Sequence, residues 1–175
     1  MSAARELFTL AQGRFLRLVR AGHWEYADRI NATGAAVVVA VTEDSKLLLV
    51  EQYRIPCGKQ VIELPAGIVG DEPDRATEAL AEAARRELLE ETGYEAGAME
   101  LIMTGPSSAG LTSELVSIFI AKQLRRVGKG GGEGNEKITV HEVPLDQIDQ
   151  WLNEQMGQDR LVDPKVFAGL YFLSQ

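Results

Sequence analysis

The stretch DRATEALAEAARRELLEETG, Asp74 to Gly93, constrains the fold most. It is rich in Ala, Leu, Glu and Arg, all strong helix formers, and Gly93 is placed to end a helix there. Its start falls between Asp71 and Thr77. Around it lie segments of a different kind. AAVVVAVTEDSKLLLVEQYR reads as two strands joined by a turn at Glu43 to Ser45. ELFTLAQGRFLRLVRAGHWEYADRI alternates apolar residues with turn signals at Gly13 and Gly22, as short antiparallel strands do. KQVIELPAGI reads as a short strand ended by Pro65 and Gly67. MELIMTG and LVSIFIAKQL read as strands around the turn-rich PSSAGLTSE, and GYEAG reads as a loop. A glycine-rich GKGGGEGNE, expected to be a mobile loop, precedes a further strand, KITVHEVPL. LDQIDQWLNEQM and PKVFAGLYFLS close the chain as helices. Strands and helices are interspersed without strict alternation, which gives a mixed α/β (α+β) domain.

With 175 residues and 45% hydrophobic content the chain can bury a full core. The single cysteine, Cys57, excludes an internal disulfide framework and points to a reducing compartment. No apolar run reaches membrane-spanning length and the N-terminus has no signal-peptide core, so a cytoplasmic protein is expected. The 18 basic and 26 acidic side chains, a net charge of -8, argue against nucleic-acid or membrane binding. A small phosphorylated substrate is still compatible, because a metal ion reverses the sign of a local site.

The helix concentrates negative charge. Glu87 and Glu90 are three residues apart, and Glu87 and Glu91 four, so all three share a face. Like charges so placed destabilise a bare helix. Hard divalent cations prefer such oxygen ligands. For a helix taken alone, the competing reading is a solvated acidic face screened by Arg85 and Arg86.

The wider arrangement decides between them. Glu78, seven further residues, then Arg86-Glu87-Leu88-Leu89-Glu90-Glu91-Thr92-Gly93-Tyr94 resembles the second part of the Nudix hydrolase box, and ELPAG supplies its opening glycine, Gly67. Ten residues separate Gly67 from Glu78, five more than in the family pattern, an insertion in the loop VGDEPDRAT. The resemblance implies a Nudix fold, a mixed β-sheet between helices with an N-terminal antiparallel β segment. It divides the chain into residues 1–33, for dimerisation and substrate recognition, and residues 34–175, the hydrolase domain. It also implies Mg²⁺, with Mn²⁺ as an alternative. The implied ligands are Glu87, Glu90, Glu91 and the backbone carbonyl of Ala66. Arg86 orients the glutamates and Glu78 has a structural role at the helix start.

Outside the box, WEYADRI, EQYRIP, ELPAGI, GLTSE and EKITVHEVPL resemble the ADP-ribose pyrophosphatase and nucleoside-diphosphate-sugar hydrolase branch. That resemblance implies hydrolysis to a nucleoside monophosphate and a sugar phosphate, in a homodimer. It places Trp24 and Arg29 on the nucleotide and Arg54 on the diphosphate or a ribose. Glu63 becomes a metal or substrate neighbour, and Glu114 lies near the terminal sugar. The general base comes from the late glycine-rich loop, as Glu136, with Glu133 as the fallback. Ala109 stands where ADP-ribose-specific relatives carry a proline, which broadens the expected substrates to other nucleoside diphosphate sugars. GDP-mannose or dinucleotide hydrolysis, and a nucleotide sensor without catalysis, are the alternatives. His23 and His141 stand in no family motif and are read as structural, and Cys57 sits in a turn, PCGK, with no partner at metal-ligand or triad spacing.

Overall fold

The computed structural model describes residues 6–70, 78–132, 134 and 137–175. Its N-terminal part is an antiparallel sheet of β1 (Leu7–Gln12), β2 (Leu16–Ala21) and β3 (Trp24–Arg29), in that order. Of these strand residues only Val19 is buried. The sheet meets the remainder of the chain mainly through β3. Ala27 N–H donates to Leu111 O at 2.8 Å, and Ser113 N–H donates to Ala27 O at 3.1 Å.

The body holds two four-stranded mixed sheets. One runs β7 (Ala66–Val69), β4 (Gly34–Ala40), β9 (Leu115–Arg126), β8 (Tyr94–Pro106), with β4 and β9 parallel. The other runs β10 (Thr139–Pro144), β5 (Lys46–Arg54), β6 (Lys59–Glu63), β11 (Leu161–Val162), with β6 and β11 parallel. The turn between β4 and β5 forms where expected, with Ser45 at φ 60° and its N–H on Thr42 O at 3.0 Å.

Period-two alternation on β4 sorts the core. Ala36, Val38 and Ala40 point to α1 (Leu80–Thr92) and pack with its Ala83, Ala84 and Leu88. Val37 and Val39 point the other way, to Leu47, Leu49, Ile62 and the helices α2 (Ile148–Gly157) and α3 (Pro164–Leu173). The sheets thus lie between α1 and the α2–α3 pair, the expected layered arrangement.

Three local expectations change. The helix begins at Leu80, later than its composition suggests, because Glu78 and Ala79 are non-helical. GYEAG is not a loop: Gly93 ends the helix at φ 76° and Tyr94 opens β8 at once, paired with Arg126. Gly67 does not terminate a strand but sits within β7, paired with Ala36 of β4. The two-residue strand β11 carries no pattern long enough to be read from sequence.

Candidate active site

β7 and α1 build one wall of a cavity of about 500 Å³, into which Glu87, Glu90 and Glu91 all face. The approach of helix to strand depends on Gly67. A Cβ at that position would run into the Glu87 carboxylate, so only glycine lets that side chain lie against β7. Glu91 is buried, and its Oε2 accepts the Ala66 N–H at 3.0 Å.

Arg86 ties the acidic group together. Its Nη1 donates to Glu87 Oε1 at 2.7 Å and to Glu90 Oε2 at 2.9 Å. Its Nε and Nη2 reach the two oxygens of Glu78 at 3.3 and 3.2 Å. Burial alone would lower the pKa of this guanidinium. The hydrogen bond to Glu78 and the charge and hydrogen bond of Glu87 outweigh burial and hold it above its ordinary value. Glu78, just outside the helix, is thus one arm of a guanidinium clamp.

The opposite walls bring cations. Arg54, at the end of β5, makes a forked pair with Glu63 of β6: Nε to Oε2 at 2.7 Å and Nη2 to Oε1 at 3.1 Å. Burial opposes its charge, but Glu63, and beyond it Glu91 and Asp163, raise its pKa. Arg29, at the end of β3, donates to Glu114 Oε1 at 2.8 Å, and both residues line the cavity. Gln52, Ser107 and Lys165 also line the cavity, and none was singled out from sequence. Lys165 is in the first turn of α3, whose N-cap Asp163 accepts the Lys165 N–H at 2.8 Å and pairs with its ammonium. Asp-Pro-Lys is a legible helix start, but nothing local says that the amine looks into the cavity.

The structure thus collects Arg29, Arg54, Glu63, Ala66, Arg86, Glu87, Glu90, Glu91 and Glu114 around one cavity. Trp24 is elsewhere. It is 48% exposed and lines a separate hollow of about 330 Å³ with Tyr26, Ala109 and Thr112. Trp24 and Arg29 sit at opposite ends of β3, about 16 Å apart at a strand's rise, and odd spacing puts them on opposite faces. Glu133 and Glu136 lie outside the described residues. Away from the cavity, His141 Nε2 donates to Glu51 Oε2 at 2.9 Å and its ring lies against that of Trp151, tilted by 58°, and Cys57 is exposed without a partner cysteine.

The donor set fits a hard divalent cation: three carboxylates on one helix face, beside a strand kept free of a Cβ. No group of three acidic, histidine or cysteine side chains among the described residues is already spaced around an ion. Arg86 draws Glu87 and Glu90 toward itself instead. Such a guanidinium offsets the like-charge repulsion within the cluster.

A family model described as NUDIX domain matches residues 32–163. The chain belongs to the NUDIX family. Among curated relatives it is 34% identical over 141 residues to a methanol dehydrogenase activator of Bacillus methanolicus, covering 80% of this chain and 71% of that one. It is 36% identical over 116 residues to an ADP-ribose pyrophosphatase of Bacillus subtilis, 65% of this chain and 59% of that one. It is 34% identical over 132 residues to a GDP-mannose pyrophosphatase of Citrobacter koseri, 70% of this chain and 64% of that one. The chain thus spans under two thirds of the length of the two pyrophosphatases. A solved structure titled as an ADP compounds hydrolase has the same fold, with a TM-score of 0.65 at 20% identity, over 85% of this chain and 80% of that one.

Proposed function

We propose that this chain is a pyrophosphatase that splits the diphosphate bond of ADP-ribose or a related nucleoside diphosphate sugar. The products are a nucleoside monophosphate and a sugar phosphate. The observation that carries this reading is the single cavity in which Glu87, Glu90 and Glu91 face Arg29, Arg54 and Lys165. Two pyrophosphatases among the relatives support it by name. Glu87, Glu90 and Glu91 would hold Mg²⁺, or Mn²⁺, which when bound neutralises diphosphate charge and acidifies a water. Arg86 holds two of these carboxylates in place. Arg29, Arg54 and Lys165 each face an acidic partner in the structure, Glu114, Glu63 and Asp163. An incoming diphosphate takes over part of that pairing, and guanidinium forks suit its oxygens.

The base is a glutamate of the glycine-rich loop, Glu136 by its place in EKITV. Glu136→Gln should cut kcat strongly while substrate binding stays nearly intact. A large effect in Glu133→Gln instead would move the base to that residue. The exposed apolar side chains of the N-terminal sheet, Leu7, Phe8, Leu10, Phe15 and Leu16, are covered by a second copy of the chain, in a cytoplasmic homodimer. Trp24 of one copy then stacks on the base held by the other. Among the described residues no helix is long and apolar enough to cross a membrane.

The test is a hydrolysis screen with Mg²⁺ across ADP-ribose, GDP-mannose, UDP-glucose, dinucleoside polyphosphates and nucleoside triphosphates, with products separated by ion-exchange chromatography. The reading expects a nucleoside diphosphate sugar to be the best substrate. Preference for a dinucleotide moves the chain to another specificity. Tight nucleotide binding without turnover makes it a sensor.

A further inference from the structure

The glycine-rich segment was expected to be mobile throughout, yet its first half is fastened to the carboxylate helix. The last carbonyls of an α-helix have no partner within the helix. At the end of α1, Gly131 N–H donates to Glu91 O at 2.8 Å and Gly132 N–H donates to Glu90 O at 3.1 Å. Gly93 O accepts the N–H groups of Val127 and Gly128 at 2.9 and 3.0 Å. The helix end is therefore capped by the loop's own backbone, at the residues whose side chains line the cavity.

The glycines are required for that approach. A Cβ on Gly130 would meet the Glu91 carbonyl oxygen and lie 2.6 Å from Thr92 Cα, all of it backbone. A Cβ on Gly93 would lie 2.8 Å from Gly130 N. Gly130, Gly131 and Gly132 all have positive φ, at 68°, 113° and 79°. The root of the segment is held as well. Arg126 Nε donates to Gly128 O at 3.3 Å, and its Nη1 donates to Glu142 Oε1 at 2.9 Å, which also accepts the Tyr94 hydroxyl at 3.0 Å. Ile138 N–H reaches Gly131 O at 3.4 Å, so residues 131 and 138 form a neck. Glu133 and Glu136 fall between the two in the chain.

We propose that Gly130, with the backbone of Gly131 and Gly132, is a positioning element: it lets this backbone seat on the C-terminal end of α1 and so fixes the helix end that carries Glu90 and Glu91. The proposal rests on the hydrolase reading above. A displacement of about 1 Å in a reacting constellation costs on the order of 100-fold in rate.

Gly130→Ala is compared with Gly58→Ala, since Gly58 has φ 64° with nothing within 4 Å of an added Cβ. Gly58→Ala thus carries the same backbone strain without the close approach. Gly130→Ala should lower kcat about 10- to 100-fold with KM within about threefold. Its melting temperature should stay near that of Gly58→Ala, whose kcat should remain within about twofold of the unsubstituted chain. Equal kcat in the two variants overturns the proposal. So does a parallel collapse of kcat, KM and melting temperature, which marks a merely structural glycine. Hydrogen exchange on the unsubstituted chain tests the seat even if Gly130→Ala does not fold. The amides of Gly131 and Gly132 should exchange as slowly as those in the last turn of α1. Exchange at the rate of an unstructured peptide overturns the anchor. If the unsubstituted chain hydrolyses nothing in the substrate screen, the hydrolase reading fails, while the exchange result still judges the anchor.

Discussion

The carboxylate helix and the N-terminal sheet are opposite solutions to exposure. α1 turns its apolar side, Ala83, Ala84 and Leu88, fully into the core and spends its polar side on a charged cavity clamped by Arg86. The N-terminal sheet buries only Val19 and leaves Phe15 at 63% and Leu7 at 61% exposure. A three-stranded sheet draws its stability from a hydrophobic face that is buried. The first region is complete within one chain. The second, on our reading, is completed by another copy, and Arg29 and Trp24, at the two ends of β3, serve different subunits' sites.

Removing divalent metal gives the largest expected effect and separates the two regions. A chelator should reduce turnover by roughly 1,000-fold, with recovery on adding Mg²⁺, since such ions supply several kcal/mol of charge stabilisation. The oligomeric state, read by sedimentation, should not change. Dissociation on chelation would mean that the two regions are not independent.

Trp24→Ala sharpens the contrast from the other side. If the ring stacks on a base in the partner's site, KM rises about 5- to 150-fold, the range that follows from a stacking contact, with a smaller change in kcat. A monomer in solution, or an unchanged KM, would leave Trp24 as a surface aromatic. Phe15→Ser together with Leu7→Ser should weaken the dimer and raise KM in the same direction.

Gly67→Ala should fall next, at about 10- to 50-fold in kcat, because the new methyl displaces the Glu87 carboxylate. Stability should fall by about 1–3 kcal/mol, the usual cost of an added methyl that pushes a neighbouring side chain aside. A melting curve beside the kinetics checks both parts.

The smallest effect on turnover belongs to Glu51, buried like Glu91 but outside the cavity. Burial favours its neutral form, but hydrogen bonds from Arg160 and His141 outweigh burial and lower its pKa. A carboxylate lowered in this way stabilises the fold above the ordinary glutamate pKa, about 4.3. That contribution is lost as pH falls through the lowered folded value. Glu51→Gln should therefore melt earlier than the unsubstituted chain at pH 7, and the gap should close in acid. kcat should stay within about twofold. A gap that widens in acid would reverse the assigned sign.

What could be read in advance follows the same division. Glu87, Glu90, Glu91 and Arg86 belong to one helix, whose period places them on a face without knowledge of anything else. The core strands were legible because Val37 to Val39 and Leu47 to Val50 form β-branched and apolar runs. Lys165, Ser107 and Gln52 were not, because their arrival at the cavity depends on how β5, α3 and the 107–114 turn pack together. The helix cap was invisible for another reason. Gly131 and Gly132 cap the helix through backbone N–H groups, and a glycine run looks the same whether it is seated or loose. Trp24 and Arg29 were read as one pair on the nucleotide, but their separation appears only when both are placed on one strand.

On our reading hydrolysis depends on the ion that the α1 carboxylates would hold. The most direct measurement is kcat for Glu91→Gln beside the unsubstituted chain, on the best substrate of the screen at saturating Mg²⁺, with circular dichroism to confirm the fold. A loss of at least ~100-fold with the helix signal intact is expected. Near-normal turnover in Glu91→Gln would contradict it.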